Sequence, residues 1–589
     1  MNPFIDKVLE RMSNDDKRQL SEIYEPTIVS ETDADAWKHL TVMRDGRLRY
    51  YGIYKKESIF DKGNTLCYRE SCDGGLTWKM HVIEDKNVLG ESTYIPFMDK
   101  YMKTYYIDGK GVFVRIGDDP DDVLPKEIQV TALDCIEPLA PFYLRDRERI
   151  IIVTTERRPD RHPTCFYPVL FISDNRGESW RELHMEECPY FELQWPDQGG
   201  RWQQNNRENH IVELTDGTLY MISRTAMNYH YESYSYDGGD TWTEFKPSRF
   251  HGTGSMPCFE RLADGRILFF WCNTKLLPEL TTADGIWEDH FTNRDTNCCA
   301  ISSDECKSFR GYREIYLNPI RNNPDFRSFG GPTDGDKSVH QFEALELPMN
   351  KVLVAVGQHE AVRRLLIFDV DWLYEHKREE RFLYGLKNLS THSYVKSIEG
   401  GFKVSREHPL AHSGHCAFNR TNLALLVPSP ANTYTKGGTD ILDDYNEALH
   451  LTRVEDDRLI SGIAGAVWNF PSHRKGKVTV RAYIPGKGLR VSLLNYWMNP
   501  SDNTVEYFSD YSIVLRGDMQ YGEMFTDFVF NFDCDRGTVI LTAGDKLKLE
   551  RKLNGEHPDG LCYLHLQSAA TEADSIGAYI EKFSFEGIE

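Results

Sequence analysis

Three carboxylates, Glu137, Glu208 and Asp336, and one imidazole, His340, stand at or near the ends of apolar alternating runs, as do Arg157, Arg158 and Arg224. A general acid and a general base suffice for inverting cleavage of a glycosidic bond, with water attacking directly. Histidine titrates near neutrality and can fill either role. Arginine adds a planar fork that pairs bidentately with a carboxylate. Arginine with histidine or tyrosine on a uronate would instead suit β-elimination. The same residues without turnover would make a glycan-binding rim. His162, in ERRPDRHP, is a further imidazole that could act as His340 does.

Residues so far apart need a repeated element to bring them together. A strand, a tight turn and a returning strand recur along the chain. HLTVMRDGRLRYYGIY turns at Asp45-Gly46, HIVELTDGTLYMISR at Asp216-Gly217 and FERLADGRILFFWCN at Asp264-Gly265. Asp-Gly between alternating apolar runs is the strongest short-range hairpin signal. Weaker versions lie around Arg145–Glu148 and Pro348–Asn350, and a degenerate one near Tyr94–Tyr106. Six hairpins predict six blades of a β-propeller. The segment after Tyr24 is expected to supply a strand that closes the ring.

A second repeat has the same period. SCDGGLTW, SDNRGESW, SYDGGDTW and the worn SSDECKSF begin at 71, 173, 235 and 302, so the gaps are 102, 62 and 67 residues. Two gaps are one unit long and the first is nearly two. A unit of this length holds four short strands, one propeller blade. Within each box the short Asp or Asn can accept backbone N–H bonds, glycine supplies φ > 0 and tryptophan can pack between blades. The fourth copy, with Cys306 and Phe309 replacing Gly and Trp, is expected to be looser. The boxes are therefore read as turns without chemistry.

Each inner hairpin leaves one rim and returns to it, so residues before its first strand and after its second converge on the central mouth. Before first strands lie Trp37, His39, Tyr94, Glu137, Glu208, Ser255 and His340. After returning strands lie Arg157, Arg158, Arg224, Asn273, His359 and Glu360. Arg157 and Arg158 hold the rim position of Arg224 one blade earlier, and at least one is expected to face the mouth.

From about residue 376 the boxes and Asp-Gly hairpins stop. A charged, helical-looking link, Trp372–Arg381, leads to GKVTVRAYI, TDFVFNF, GTVILTA and YLHL. Strands without helices suggest a β-sandwich, jelly-roll or lectin-like, that binds carbohydrate or, the favoured reading, buttresses the propeller. The expected organisation is an N-terminal helix over 1–23, a six-bladed propeller over 24–375 and a C-terminal β-sandwich over 376–589.

Composition bounds the partners. The 589 residues carry a net charge of −22, with 40% hydrophobic and 12% aromatic content. That argues against nucleic acid or an anionic membrane as partner, since both reward a basic footprint. It leaves room for an acidic oligosaccharide in a locally basic pocket, and for a homo-oligomer. The thirteen cysteines are scattered, without a Cys-x-x-Cys pair, and are expected to be reduced, as in a cytoplasmic protein. Ile5, Val8, Leu9 and Met12 recur at helical spacing among charges, an amphipathic helix rather than a signal peptide. No phosphate-binding, dinucleotide-binding, zinc-protease or EF-hand motif occurs, so neither cofactor nor metal is expected.

The box pattern, Ser-x-Asp/Asn-x-Gly-x-Ser/Thr-Trp, resembles the Asp-box, or BNR repeat, of the sialidase superfamily. The resemblance implies a six-bladed propeller, with the boxes at the turn between third and fourth strands, away from the active site. NNRENHIVELTDGTLYMISR, Asn205–Arg224, is similar to the sialidase segment in which a glutamate opens the inner strand and an arginine closes the returning one. Glu208 would then be the buried carboxylate acting as a base on the nucleophile. Arg224 would be one of three arginines gripping a substrate carboxylate. TNRDTNCCAISSDECKSF resembles the segment carrying a further such arginine, which would be Arg294. The chain departs from the pattern at two places. Glu25, in YEPTIV, stands where the family has its first arginine. His340 and Phe342, in KSVHQFEAL, stand near the place of the tyrosine nucleophile. The resulting expectation is an exo-acting, sialidase-like glycoside hydrolase for a terminal acidic sugar.

Overall fold

A computed structural model describes residues 2–32, 36–55, 64–157, 166–186, 206–225, 229–252, 255–274, 294–323, 339–357, 362–395, 419–432, 446–459, 461–522 and 524–588. The chain divides into two units. The first comprises Met1–Asn273, Arg294–Lys307 and Asp336–Trp372; the second comprises Thr274–Asn293, Ser308–Gly335 and Leu373–Glu589.

The first unit is a propeller-like arrangement of antiparallel sheets. Ala36–Val42, Leu48–Lys55, Asn64–Ser71 and Lys79–Val82 form one four-stranded blade, and Thr93–Ile95, Lys100–Ile107, Gly111–Gly117 and Lys126–Thr131 the next. The third has five strands, because its inner edge is split into Cys135–Ile136 and Phe142–Tyr143, which both pair with Ile150–Arg157. Arg207–Glu213, Leu219–Arg224, Tyr229–Ser235 and Lys246–His251 make a fourth sheet. Glu343–Leu347, Lys351–Val356 and Arg364–Asp369 make another, closed by Thr27–Glu31 from the N-terminal side.

The hairpin count predicts six complete blades; five separate sheets of four or five strands are found. Where a sixth would stand, this unit holds three strands, Cys258–Arg261, Ile267–Trp271 and Thr296–Ser302. The strand after them, Arg310–Leu317, belongs to the second unit, where it pairs with Gly465–His473.

The Asp-Gly turns form as the sequence predicts. Gly46, Gly217 and Gly265 all have φ above +80°. In each turn the preceding aspartate accepts the N–H two residues on: Asp45 from Arg47, Asp216 from Thr218 and Asp264 from Arg266. The box side chains bond as their types suggest. Ser71 Oγ donates to Asp73 at 2.7 Å and accepts Gly75 N–H at 2.8 Å; Ser235, Asp237 and Gly239 repeat this at 2.8 and 2.8 Å. The worn copy keeps both bonds, at 2.9 and 2.9 Å, with Cys306 held at φ +62° where the others use glycine. Its serine–aspartate geometry is thus as tight as that of the intact copies, because those bonds do not involve the replaced side chains.

Packing between neighbouring sheets holds the unit together. In Ile150–Arg157, Ile150 and Ile152 enter one core with Ile95, Met102 and Val114, while Ile151 and Val153 enter another with Ile211, Leu219 and Met221. Side chains alternate across a strand, so an unbroken apolar run is buried on both faces. Each such side chain contributes about 1.5–3 kcal/mol. Trp78, Trp180 and Trp242 pack at the margins of three of these cores. The N-terminal segment is two helices rather than one, Ile5–Arg11 and Asn14–Glu22, because Ser13 starts the second with a capping box to Asp16.

The second unit is also built of strands. Arg310–Leu317, Gly465–His473, Leu561–Ser568, Leu489–Leu494 and Tyr511–Leu515 are neighbours in one sheet. Leu425–Pro428, Glu447–Arg453, Asp574–Gly587, Lys475–Tyr483, Thr526–Asp533, Thr538–Ala543 and Leu547–Lys552 form a second. Trp468, Val491 and Leu564 of the first share a core with Val480, Phe530 and Phe583 of the second. The helical link expected over Trp372–Arg381 is a short 3₁₀ turn, Val370–Tyr374, followed by a strand, Lys377–Glu380, that pairs with the last strand. Sheet pairing overrides the weak helical pattern of that charged stretch.

Candidate functional site: an arginine-rimmed carboxylate in the first unit

A β-bulge creates the centre of the site. Arg207 pairs with Arg224 and His210 with Ile222, so Glu208 and Asn209 together face Ser223. Glu208 takes φ +50°, a conformation costly for a residue with a Cβ, and Glu137 on the preceding sheet takes φ +54°. A bulge re-aims the side chains beside it. Here it puts Glu208, 7% exposed, against Arg224, whose Nη1 donates to both carboxylate oxygens at 2.8 Å. Arg207 turns to Glu137, with Nε donating to Oε2 at 2.9 Å and a second contact from Nη2.

The surrounding charges set the protonation states. Burial opposes ionisation of Glu208, but Arg224, Arg207 and Arg294 outweigh it and hold the carboxyl below its usual range. His340 is driven well below the usual imidazole range by burial, then by Arg294 and Arg224. Its Nε2 accepts from Arg294 Nη1, and Val339 N–H donates to the Arg294 carbonyl at 2.9 Å. That direction favours the neutral ring at neutral pH, which accepts from Arg294. Arg224 Nε is a buried donor without a hydrogen-bond partner among the described residues.

Glu208 and Glu137 line a cavity of about 720 Å³ that also reaches His39, Asn209, His210 and Glu343. The two histidines are set apart. Burial lowers His39, but Glu343, Glu91 and Glu260 overcome it and raise the ring above its ordinary value. Its Nδ1 lies 2.8 Å from Glu343 Oε2 and its Nε2 3.3 Å from Thr93 Oγ1. Burial takes His210 down to about 4, and its Nδ1 accepts the Phe259 N–H at 3.3 Å.

Of the sequence-predicted residues, Glu208, Arg224, Arg294 and His340 are brought together, and Glu137 joins them through Arg207. Asp336, Arg158, His162, His359 and Glu360 lie outside the described residues, and Arg157 is described only as the last residue of its strand. Tyr94 bonds to Asp99 at 2.6 Å and packs on Phe4, so it is engaged elsewhere. Sequence reasoning missed Arg207 and Asn209, because strict alternation would turn Arg207 away whenever Glu208 faces the mouth; the bulge breaks that rule. Among the described residues, no group of three or more His, Cys, Asp or Glu is arranged to hold a metal ion. None of their helices is long and apolar enough to cross a membrane.

The glutamate, its arginine and the box after them lie within one repeat unit. Residues 141–326 match the BNR repeat-like domain. This BNR repeat-like segment contains Glu208, Arg224, Arg294 and three of the four boxes. The chain is also similar to solved sialidase structures. A Trypanosoma rangeli sialidase bound to an inhibitor is 11% identical over 94% of this chain and 92% of that one, with a TM-score of 0.35. An intramolecular trans-sialidase from Ruminococcus gnavus is 11% identical over 59% and 97%, with a TM-score of 0.37. Another structure, named sialidase, is 11% identical over 97% of this chain, which spans about half of it (52%), with a TM-score of 0.29. No curated protein sequence matches the chain. The propeller arrangement stands on the sheets and the repeat match.

Proposed function

We propose that the protein is an exo-acting glycoside hydrolase that removes a terminal acidic sugar from an oligosaccharide. The carrying observation is the convergence of Arg207, Arg224 and Arg294 around ionised Glu208 beside a cavity of about 720 Å³. Three guanidinium groups gather around the two carboxylates Glu208 and Glu137. Arg224 has a spare Nε–H for a ligand oxygen. A sugar carboxylate fits those groups and that donor.

In this reading water attacks the anomeric carbon. Glu208 takes the water's proton as the new C–O bond forms. The glycosidic C–O bond breaks, and His39, whose carboxylate neighbours favour its protonated form, gives its proton to the departing oxygen. Glu137 holds Arg207, and His340 holds Arg294.

The test is incubation of the protein and of Glu208→Gln with sialylated and uronate-terminated oligosaccharides, followed by mass spectrometry. Products that together gain one water, absent with the variant, support the reading. An unsaturated product without added water would make the protein a lyase. Binding without turnover would make it a glycan-binding propeller.

A further inference from the structure

The bulge that aims Glu208 also buries a second polar side chain with nothing to bond. Asn209 is fully buried, and neither its Nδ2 nor its Oδ1 has a hydrogen-bond partner among the described residues. It lines the same cavity as Glu208, His39, His210 and Glu343. A buried, unsatisfied amide is unfavourable for folding, and a leucine of similar shape would be better tolerated. Such a group persists in a fold when a ligand supplies its partners.

From this geometry we infer that Asn209 is a ligand-contacting, specificity-determining residue, receiving a neutral group with a donor and an acceptor side by side, as adjacent sugar hydroxyls are. The inference rests on the proposed glycan reading of the cavity. The amide is uncharged and offers one carbonyl acceptor and two N–H donors, so it matches hydroxyls rather than an ion. The charge on the ligand is answered one residue away, by Arg224 across the bulge. Asn209 thus reads the sugar's hydroxyl pattern while the arginines read its carboxylate. A site built to bond a hydroxyl rejects a ligand that lacks it, because its own polar groups are then stranded.

The experiment uses the full chain and an array of acidic and neutral glycans. The strongest-binding glycan and its monodeoxy analogues are then titrated by calorimetry against wild type, Asn209→Leu, Asn209→Asp and Glu208→Gln, with thermal melts of each. The expected result is that Asn209→Leu melts at the wild-type temperature or above it, yet binds the glycan roughly 10- to 100-fold more weakly. It should also lose the wild-type preference for the parent over one deoxy analogue. Asn209→Asp, which keeps an acceptor and loses the donor, should weaken binding as well. A melting temperature several degrees lower for Asn209→Leu would show that the amide holds the strand, and would overturn the inference. Unchanged affinity would do the same, leaving Asn209 with water alone. Affinity lost in Glu208→Gln but kept in both Asn209 variants overturns this inference and spares the proposed function. No glycan bound by wild type overturns both.

Discussion

Arg224 Nη1 donates to both oxygens of Glu208 at 2.8 Å, across the start of one hairpin and inside a β-bulge. The pair is almost wholly buried, and Arg207 and Arg294 add to the field on the carboxylate. A carboxylate so placed stays ionised at neutral pH without the help of solvent.

Glu208→Gln should lower turnover by roughly 100- to 10 000-fold, the range for loss of a general base, with a smaller change in KM. Glu208→Ala should in addition destabilise the chain by about 3–5 kcal/mol, because it strands the Arg224 guanidinium. Steady-state kinetics and denaturant melts separate the two effects.

Arg207→Gln should raise KM for the acidic substrate roughly 10- to 100-fold while sparing kcat more, as expected for a group that binds charge in ground and transition states alike. A desialylated or otherwise neutral analogue should show no such dependence. Equal losses with charged and neutral ligands would place Arg207 in the scaffold instead.

Stability should fall as pH drops from about 6.5 toward 4. Burial lowers the folded-state values of His210 and His230 to about 4, and His340 lies well below 6.5. Between those values the unfolded chain binds protons that the folded chain does not, so stability rises with pH across the window. His230, 1% exposed, alone corresponds to about 3 kcal/mol. His39 works in the opposite sense, since its raised value contributes stability below 6.5 that is lost as pH climbs through the folded value. Glu208 adds to the acid loss only below about 4.5. Urea midpoints measured from pH 4 to 8, with His230→Gln flattening the slope, check this.

Gly46→Ala should destabilise the first unit by roughly 2–4 kcal/mol, from left-handed backbone strain plus overpacking. Its φ is +85°, and an added Cβ would lie 2.4 Å from the Lys7 carbonyl of the first helix. Gly217→Ala shares the strain, at φ +84°, but meets nothing within 4 Å, so it should cost less. The difference between their melting temperatures measures how tightly the N-terminal helix is seated.

The sequence by itself determined the turns and the period. Asp45-Gly46, Asp216-Gly217 and Asp264-Gly265 carry their hydrogen-bond partners within two residues, and each box is closed by its own serine and aspartate. Such features are local, so residue type and spacing suffice to read them. Glu208 and Arg224 were legible for the same reason, being the two ends of one hairpin. Only the tertiary structure decided the rest. Glu137 meets Arg207 across 70 residues and His39 meets Glu343 across 304, distances over which spacing carries no signal. The bulge that buries Asn209 depends on strand register, which cross-strand packing sets. The strand after the fourth box belongs to the second unit and pairs there with Gly465–His473, far along the chain. Local chemistry fixes where the chain turns; the partners available after it turns decide which strands make a blade and which side chains make a site.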